Sequence, residues 1–175
     1  MRTTPVLAAA RLFLVLAVAA AATAGCETTK LFQGDPDKYV PERGEWQETE
    51  PLAVPSMNVL WERARAVLEY EGYGIDEDLT RFDRREMVST WVVRLAPTRF
   101  EGVRRRAHVT LVPAGDRWIV RAAIVRQRNT DIDQPSNPAQ AQWESTSADA
   151  SRTAVLVFKI RAGFDPALSG ADPLK

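Results

Sequence analysis

The apolar positions divide the chain into an apolar N-terminal run, an irregular polar stretch, and a body in which two helical periods flank several strand-like runs. Met57, Leu60, Trp61, Ala64, Val67 and Leu68 recur at the three-to-four spacing of one helix face, while Glu62, Arg63, Arg65 and Glu69 fall mostly opposite. Ser56 precedes them as an N-cap whose hydroxyl can accept from an orphan amide of the first turn. Gly72 follows as a residue able to close the helix in the left-handed conformation. A second helical pattern opens on Thr146 and Asp149, spaced as a capping box with Asp in place of Glu. Its face is traced by Ala150, Ala154, Val157, Phe158 and Ile160 or Arg161, widened by Val155 and Leu156, and Gly163 ends it.

Between the helices the period shortens. Tyr73–Asp76 forms a short candidate strand leading through Asp78 to Phe82, and Asp83-Arg84-Arg85 a turn. Met87–Leu95 is rich in β-branched and aromatic residues, and Ala96–Phe100, with Pro97, connects it onward. Val103–Val112 alternates in part, Pro113-Ala114-Gly115-Asp116 signals a tight hairpin, and Trp118–Gln127 is apolar on much of both faces. Short loops join these runs, so they pair as an antiparallel meander. A loop from Asn129 to Gln142 then leads to the second helix. The expected fold class is α+β, with two helices packed on one face of an antiparallel β-sheet, a helix-grip-like arrangement over residues 56–164.

The ends read differently. Residues 26–55 carry Pro36, Pro41, Pro51 and Pro55 among many charges, and no period survives more than a few residues, which predicts a flexible tether. Leu31, Phe32, Tyr39, Val40 and Trp46 within it are incidental aromatics and aliphatics of a linker or, alternatively, anchors of a segment that folds onto a partner. Residues 165–175 read as a disordered tail. Residues 1–25 hold Arg2, Arg11 and then Leu12–Ala22, 11 residues without a charge or polar side chain. A spanning helix needs ~20 such residues, so the run has the layout of a signal peptide instead. Thr23-Ala24-Gly25-Cys26 resembles the bacterial lipobox, with Thr where Leu is more usual. That resemblance implies cleavage before Cys26, lipidation of its thiol with palmitate-type chains, and membrane anchoring. The family's sorting rule, with Glu27 rather than Asp next, implies the outer membrane, facing the periplasm. An ordinary signal peptide with a leftover thiol is the alternative.

Composition narrows the chemistry. The segment from Cys26 to Lys175 is 150 residues, enough for one domain with a tail. Without Arg2 and Arg11, 21 basic residues face 23 acidic ones, so no global charge drives nucleic-acid binding. One Cys admits no intramolecular disulfide, and one His with that Cys makes a His/Cys zinc site implausible.

Candidate sites are few. Arg104 and Arg106 share a strand face, and Arg121 of the next strand lies nearby, forming a basic face suited to carboxylate or phosphate. Arg94, Arg126 and Arg128 sit near strand ends. The competing reading is a solvated face whose charges discourage aggregation. His108 points the same way as Arg104, Arg106 and Thr110; flanking arginines disfavour its protonated form, and it reads as a solvated or capped side chain rather than a catalyst. Asp76-Glu77-Asp78 reads as a solvated turn. Asp131 and Asp133 lack the glycine and distal Glu of an EF-hand loop. No phosphate loop, nucleophile elbow or zinc-protease motif is present, so no catalytic residue, metal or cofactor is expected.

Three stretches carry a family resemblance: Val59-Leu60-Trp61 running to Leu68-Glu69-Tyr70-Glu71-Gly72-Tyr73, Ser89-Thr90-Trp91-Val92, and Arg104-Arg105-Arg106 to Leu111 followed by Trp118-Ile119-Val120. In order and spacing they resemble one helix-grip domain of the NlpB/BamC family of outer-membrane lipoproteins, over about residues 56–164. The resemblance implies a non-enzymatic interaction module, accessory to an outer-membrane assembly complex, with a protein partner in the cell envelope. That family carries two such domains, and this chain has room for one. The alternative is a lipid- or lipopolysaccharide-binding lipoprotein, which a lined cavity between the C-terminal helix and the sheet would favour.

Overall fold

The computed structural model describes residues 40–95, 102–131, 137 and 140–174. Cys26, the apolar run before it and Asp133 lie outside the described residues, as does the connection at 96–100. Helix α1 is Met57–Tyr70, capped at Ser56, whose Oγ accepts from the Val59 amide at 3.4 Å. Leu60, Trp61, Ala64, Val67 and Leu68 are buried along the expected stripe. The helix closes on Gly72 at φ +81°, with the Gly72 amide donating to the Glu69 carbonyl and Tyr73 to Leu68. These two bonds satisfy carbonyls that the last turn would otherwise leave unpaired.

Six strands form one antiparallel sheet: β1 Gln47–Glu48, β2 Glu86–Val88, β3 Val92–Arg94, β4 Val103–Ala114, β5 Arg117–Asn129 and β6 Trp143–Thr146. The long pair β4–β5 is the centre. β1 and β6 flank β5, and β2 and β3 flank β4. The hairpin turns on Gly115, at φ +68°, and Asp116, with Ala114 opposite Arg117; Pro113 and Ala114, expected in the turn, belong to the strand. Helix α2 is Ala150–Ala162. Both helices cover the face of the sheet that carries Ala107, Val109, Leu111, Val120, Ala122 and Ile124, and with Leu156 and Ile160 they close the core. Each fully buried Leu or Ile there contributes ~1.5–3 kcal/mol by transfer from water. The α+β architecture, with two helices on one face of an antiparallel sheet, is thus the observed one.

Several local expectations are corrected. Residues 40–55, expected as the distal tether, are built into the sheet: β1 pairs with β5, Thr49 exchanges bonds with Val120, and Leu52 bridges Trp118 and is 7% exposed. Sheet pairing supplies the backbone partners that the short, proline-punctuated segment cannot provide for itself. The C-terminal stretch is also docked rather than loose. Asp165 caps a 3₁₀ helix at Pro166–Ala171, and Asp172 pairs with Arg63 at 2.6 Å. Tyr73–Asp76 is reduced to an isolated bridge between Ile75 and Ser89.

Helix α2 begins three residues later than the capping-box spacing predicts. Thr146 is spent as the last residue of β6, and Asp149 is the N-cap, accepting from the Arg152 amide at 3.2 Å. Its buried face is Thr153, Leu156, Val157 and Ile160, whereas Ala150, Ala154, Val155 and Phe158 are exposed. The cause is Thr153. Its hydroxyl donates to the Asp149 carbonyl at 2.9 Å and accepts from the Ile124 amide at 3.0 Å, so a polar residue rotates into the core fully satisfied.

Candidate functional site

The expected single strand over Met87–Leu95 is broken, and the break builds the site. Val88 pairs with His108 and Val92 with Arg105, so four steps along one strand face three along β4. This extra residue is a β-bulge. Ser89 sits in it, fully buried, accepting from the Ala107 amide through Oγ at 2.9 Å and donating to the Thr90 carbonyl. Because side chains alternate with period two, one added residue moves Trp91 from the helix layer to the opposite face of the sheet.

On that face, which neither helix covers, three of the chain's five tryptophans gather around β4 and β5. The Arg104 guanidinium lies 4.2 Å from the Trp91 ring centroid and 4.8 Å from that of Trp143; Arg106 lies 4.6 Å from Trp91. Along one row, the Arg104 Nε donates to Gln127 Oε1 at 2.6 Å, and Gln127 Nε2 to the Ser145 hydroxyl at 3.2 Å, each pair being register partners. Arg106 meets Asp76 at 3.4 Å. Trp46 presents its edge to His108, ring centroids 6.4 Å apart.

Arg104 and Arg106 are therefore brought together as predicted, but they are not solvated: they are 8% and 6% exposed. Aromatic faces and amide or carboxylate oxygens take the place of water around each guanidinium. Arg121 shares the face yet stands apart. It lies opposite Thr110, roughly 13 Å along the strand from Arg106, and pairs with Glu48 at 2.6 Å. Arg94 and Arg126 are exposed, and Arg128 pairs with Glu144 at 3.2 Å.

His108 corrects another expectation. Burial first, and the neighbouring Arg106 charge second, push its pKa down to about 4. The imidazole is neutral at pH 7, and among the described residues its enclosed Nε2 has no hydrogen-bond partner, nor has the Trp91 indole nitrogen. The acidic run disperses: Asp76 turns to Arg106, Glu77 to Arg65 at 2.9 Å, and Asp78 is exposed. Asp131 is half-buried at the end of β5. Among the described residues no three His, Cys, Asp or Glu side chains converge as a metal site would require.

Sequence reading missed Trp46, Trp91 and Trp143 as members of one face. The available signal was β5 itself: Ile119, Ala123 and Val125 alternate with Val120, Ala122 and Ile124, so both of its faces are apolar and both need cover. No protein-family model matches the chain, and no curated protein matches it either.

Proposed function

We propose that this chain is an envelope-anchored lipoprotein, tethered through Cys26, whose domain is a non-enzymatic interaction module docking on a protein partner, in the manner of an accessory to an outer-membrane assembly complex. The observation that carries the docking reading is the tryptophan–arginine face. Tryptophan is among the residues that dominate binding energy at protein interfaces, and here the half-buried Trp91 and Trp143 are backed by the buried Arg104 and Arg106 guanidiniums before any partner arrives. Preorganisation removes the side-chain ordering that association otherwise costs. Val93, opposite Arg104 in register and 45% exposed, extends this face at the edge of the sheet. Arg121 adds a guanidinium whose exposed pairing with Glu48 is weak enough to exchange for a partner's carboxylate. The NlpB/BamC-like stretches and the lipobox-like Cys26 support the same reading from the sequence side.

The test combines two readouts on the full chain in cells. Metabolic labelling with clickable palmitate, compared with Cys26→Ala, reads the anchor; label and membrane association are lost in the variant. A photo-crosslinking amino acid at Val93, compared with one at Val59 on α1, reads the docking face; one discrete envelope protein is captured from Val93 alone. Label retained in Cys26→Ala overturns the anchor. Identical products from both positions, or none from Val93, overturn the docking face.

A further inference from the structure

A cleft of about 350 Å³ opens on the helix layer, between the first turns of α2, the end of α1 and the helix-side face of β5. Ile124 and Leu156, each 1% exposed, line it together with Tyr73 and Val155, so most of its lining is apolar. Ser151, Arg152, Glu71 and the Tyr73 hydroxyl, which is hydrogen-bonded to Arg152, supply its polar atoms.

The two charged groups that line it differ. The Glu71 carboxylate is neutralised by Lys159, whose ammonium also lies over the Tyr70 ring. At the start of α2 the Asp149 carboxylate is shared by Arg105 at 3.0 Å and Arg152 at 3.6 Å, with the Glu45 carboxylate close by on the Ala148 amide. Of the two guanidiniums only Arg152 lines the cleft. Arg152 meets Asp149 through Nε, its side chain is 47% exposed, and a guanidinium has five donors to offer.

The floor rejects a peptide. The Ile124 amide is donated to Thr153, and its carbonyl accepts from Asp149 at 2.8 Å. An amide laid on this floor would shed its water and find no backbone partner on Ile124. An occupant with an apolar chain, no amide and one negative charge meets no such loss. At ~30 Å³ per water-sized group, the space holds roughly ten heavy atoms.

We propose that this cleft binds a medium-chain acyl carboxylate, with the hydrocarbon against Ile124, Leu156 and Val155 and the carboxylate on Arg152. The site belongs to the helix layer and is independent of the tryptophan–arginine face, so either reading can fail alone.

The probe is a diazirine-bearing decanoate, with the matching diazirine decanol as the uncharged comparison, applied to the full chain in lipid nanodiscs. Adducts are mapped by mass spectrometry. The expected result is decanoate labelling concentrated on peptides containing Tyr73 and Val155–Leu156. Val155→Trp, which fills the cleft from an exposed position, abolishes it. Arg152→Gln lowers decanoate labelling at least fivefold and leaves decanol labelling unchanged. Urea midpoints of both variants establish that they are folded. Labelling that persists in Val155→Trp, or that spreads evenly over exposed apolar residues such as Val59 and Leu79, overturns the site. Equal decanoate labelling of wild type and Arg152→Gln overturns its selectivity for an anion.

Discussion

Trp91 and Arg104 are stacked, 4.2 Å between guanidinium carbon and ring centroid, although an unbroken strand would place them on opposite faces of the sheet. Their contact exists because of one inserted residue between β2 and β3. Trp91 also meets Arg106, so it takes part in two of the three cation–π pairs on this face. Trp91→Ala is expected to cost about 2–3 kcal/mol, below the full range for a completely buried Trp because the ring is half-buried, and Trp91→Phe distinctly less. Urea denaturation reads both. A loss under about 1 kcal/mol for the alanine variant would show the stacking to be incidental.

The bulge depends on Ser89. Ser89→Ala removes the acceptor of the Ala107 amide, at a place where both residues are fully buried. A loss of about 1–3 kcal/mol is expected, together with faster hydrogen exchange at Ala107. An unchanged exchange rate at that amide would mean the backbone re-pairs without the hydroxyl.

His108 makes stability pH-dependent in a defined window. Unfolded, its pKa is near the ordinary 6.5; folded, it is about 4. Between these values the unfolded chain binds more proton, so stability is complete above the unfolded pKa and is lost as pH falls through the folded one. The full loss is about 3 kcal/mol, at ~1.4 kcal/mol per pKa unit. Urea midpoints of wild type and His108→Phe should run parallel above pH 7 and diverge from pH 6.5 down to pH 4, the wild type falling faster. Profiles that stay parallel throughout would refute the burial argument.

Gly163 is where α2 leaves room for Arg63. A Cβ there would lie 2.6 Å from Arg63 Nε, and Arg63 is pinned by the Lys159 carbonyl at 2.7 Å and Asp172 at 2.6 Å. Gly163→Ala is expected to cost about 1–3 kcal/mol and to speed proteolysis within 165–174. In an Arg63→Ala background the same substitution should have much less effect, because the two share one contact. Additive losses would place the strain elsewhere.

The helix layer was the readable part of the fold. The Met57–Leu68 stripe, Ser56 and Gly72 encode α1 locally, each by a nearest-turn rule that needs no partner. Residues 40–55 were opaque because their order comes from β5, more than sixty residues away in sequence. Helix α2 was displaced for a similar reason: Thr153 looks like a surface residue until the Ile124 amide that it serves is in place. At the candidate site, strand alternation correctly set Arg104, Arg106 and His108 on one face. It gave no account of what would cover them, since Trp91 arrives through a bulge and Trp143 through β6, a strand hidden in what reads as the approach to a helix. Polar side chains on an alternating strand imply solvent only when nothing aromatic folds over them.

The proportions of the sheet have a separate consequence. Its two long strands are inside, and the strands beside them run two, three, three and four residues. An exposed strand edge is a template on which another chain can add itself, hydrogen bond by hydrogen bond. Among the described residues no flanking strand is long enough for such zipping to gain much. Molecules held at high local density can therefore crowd against one another without polymerising through their sheets.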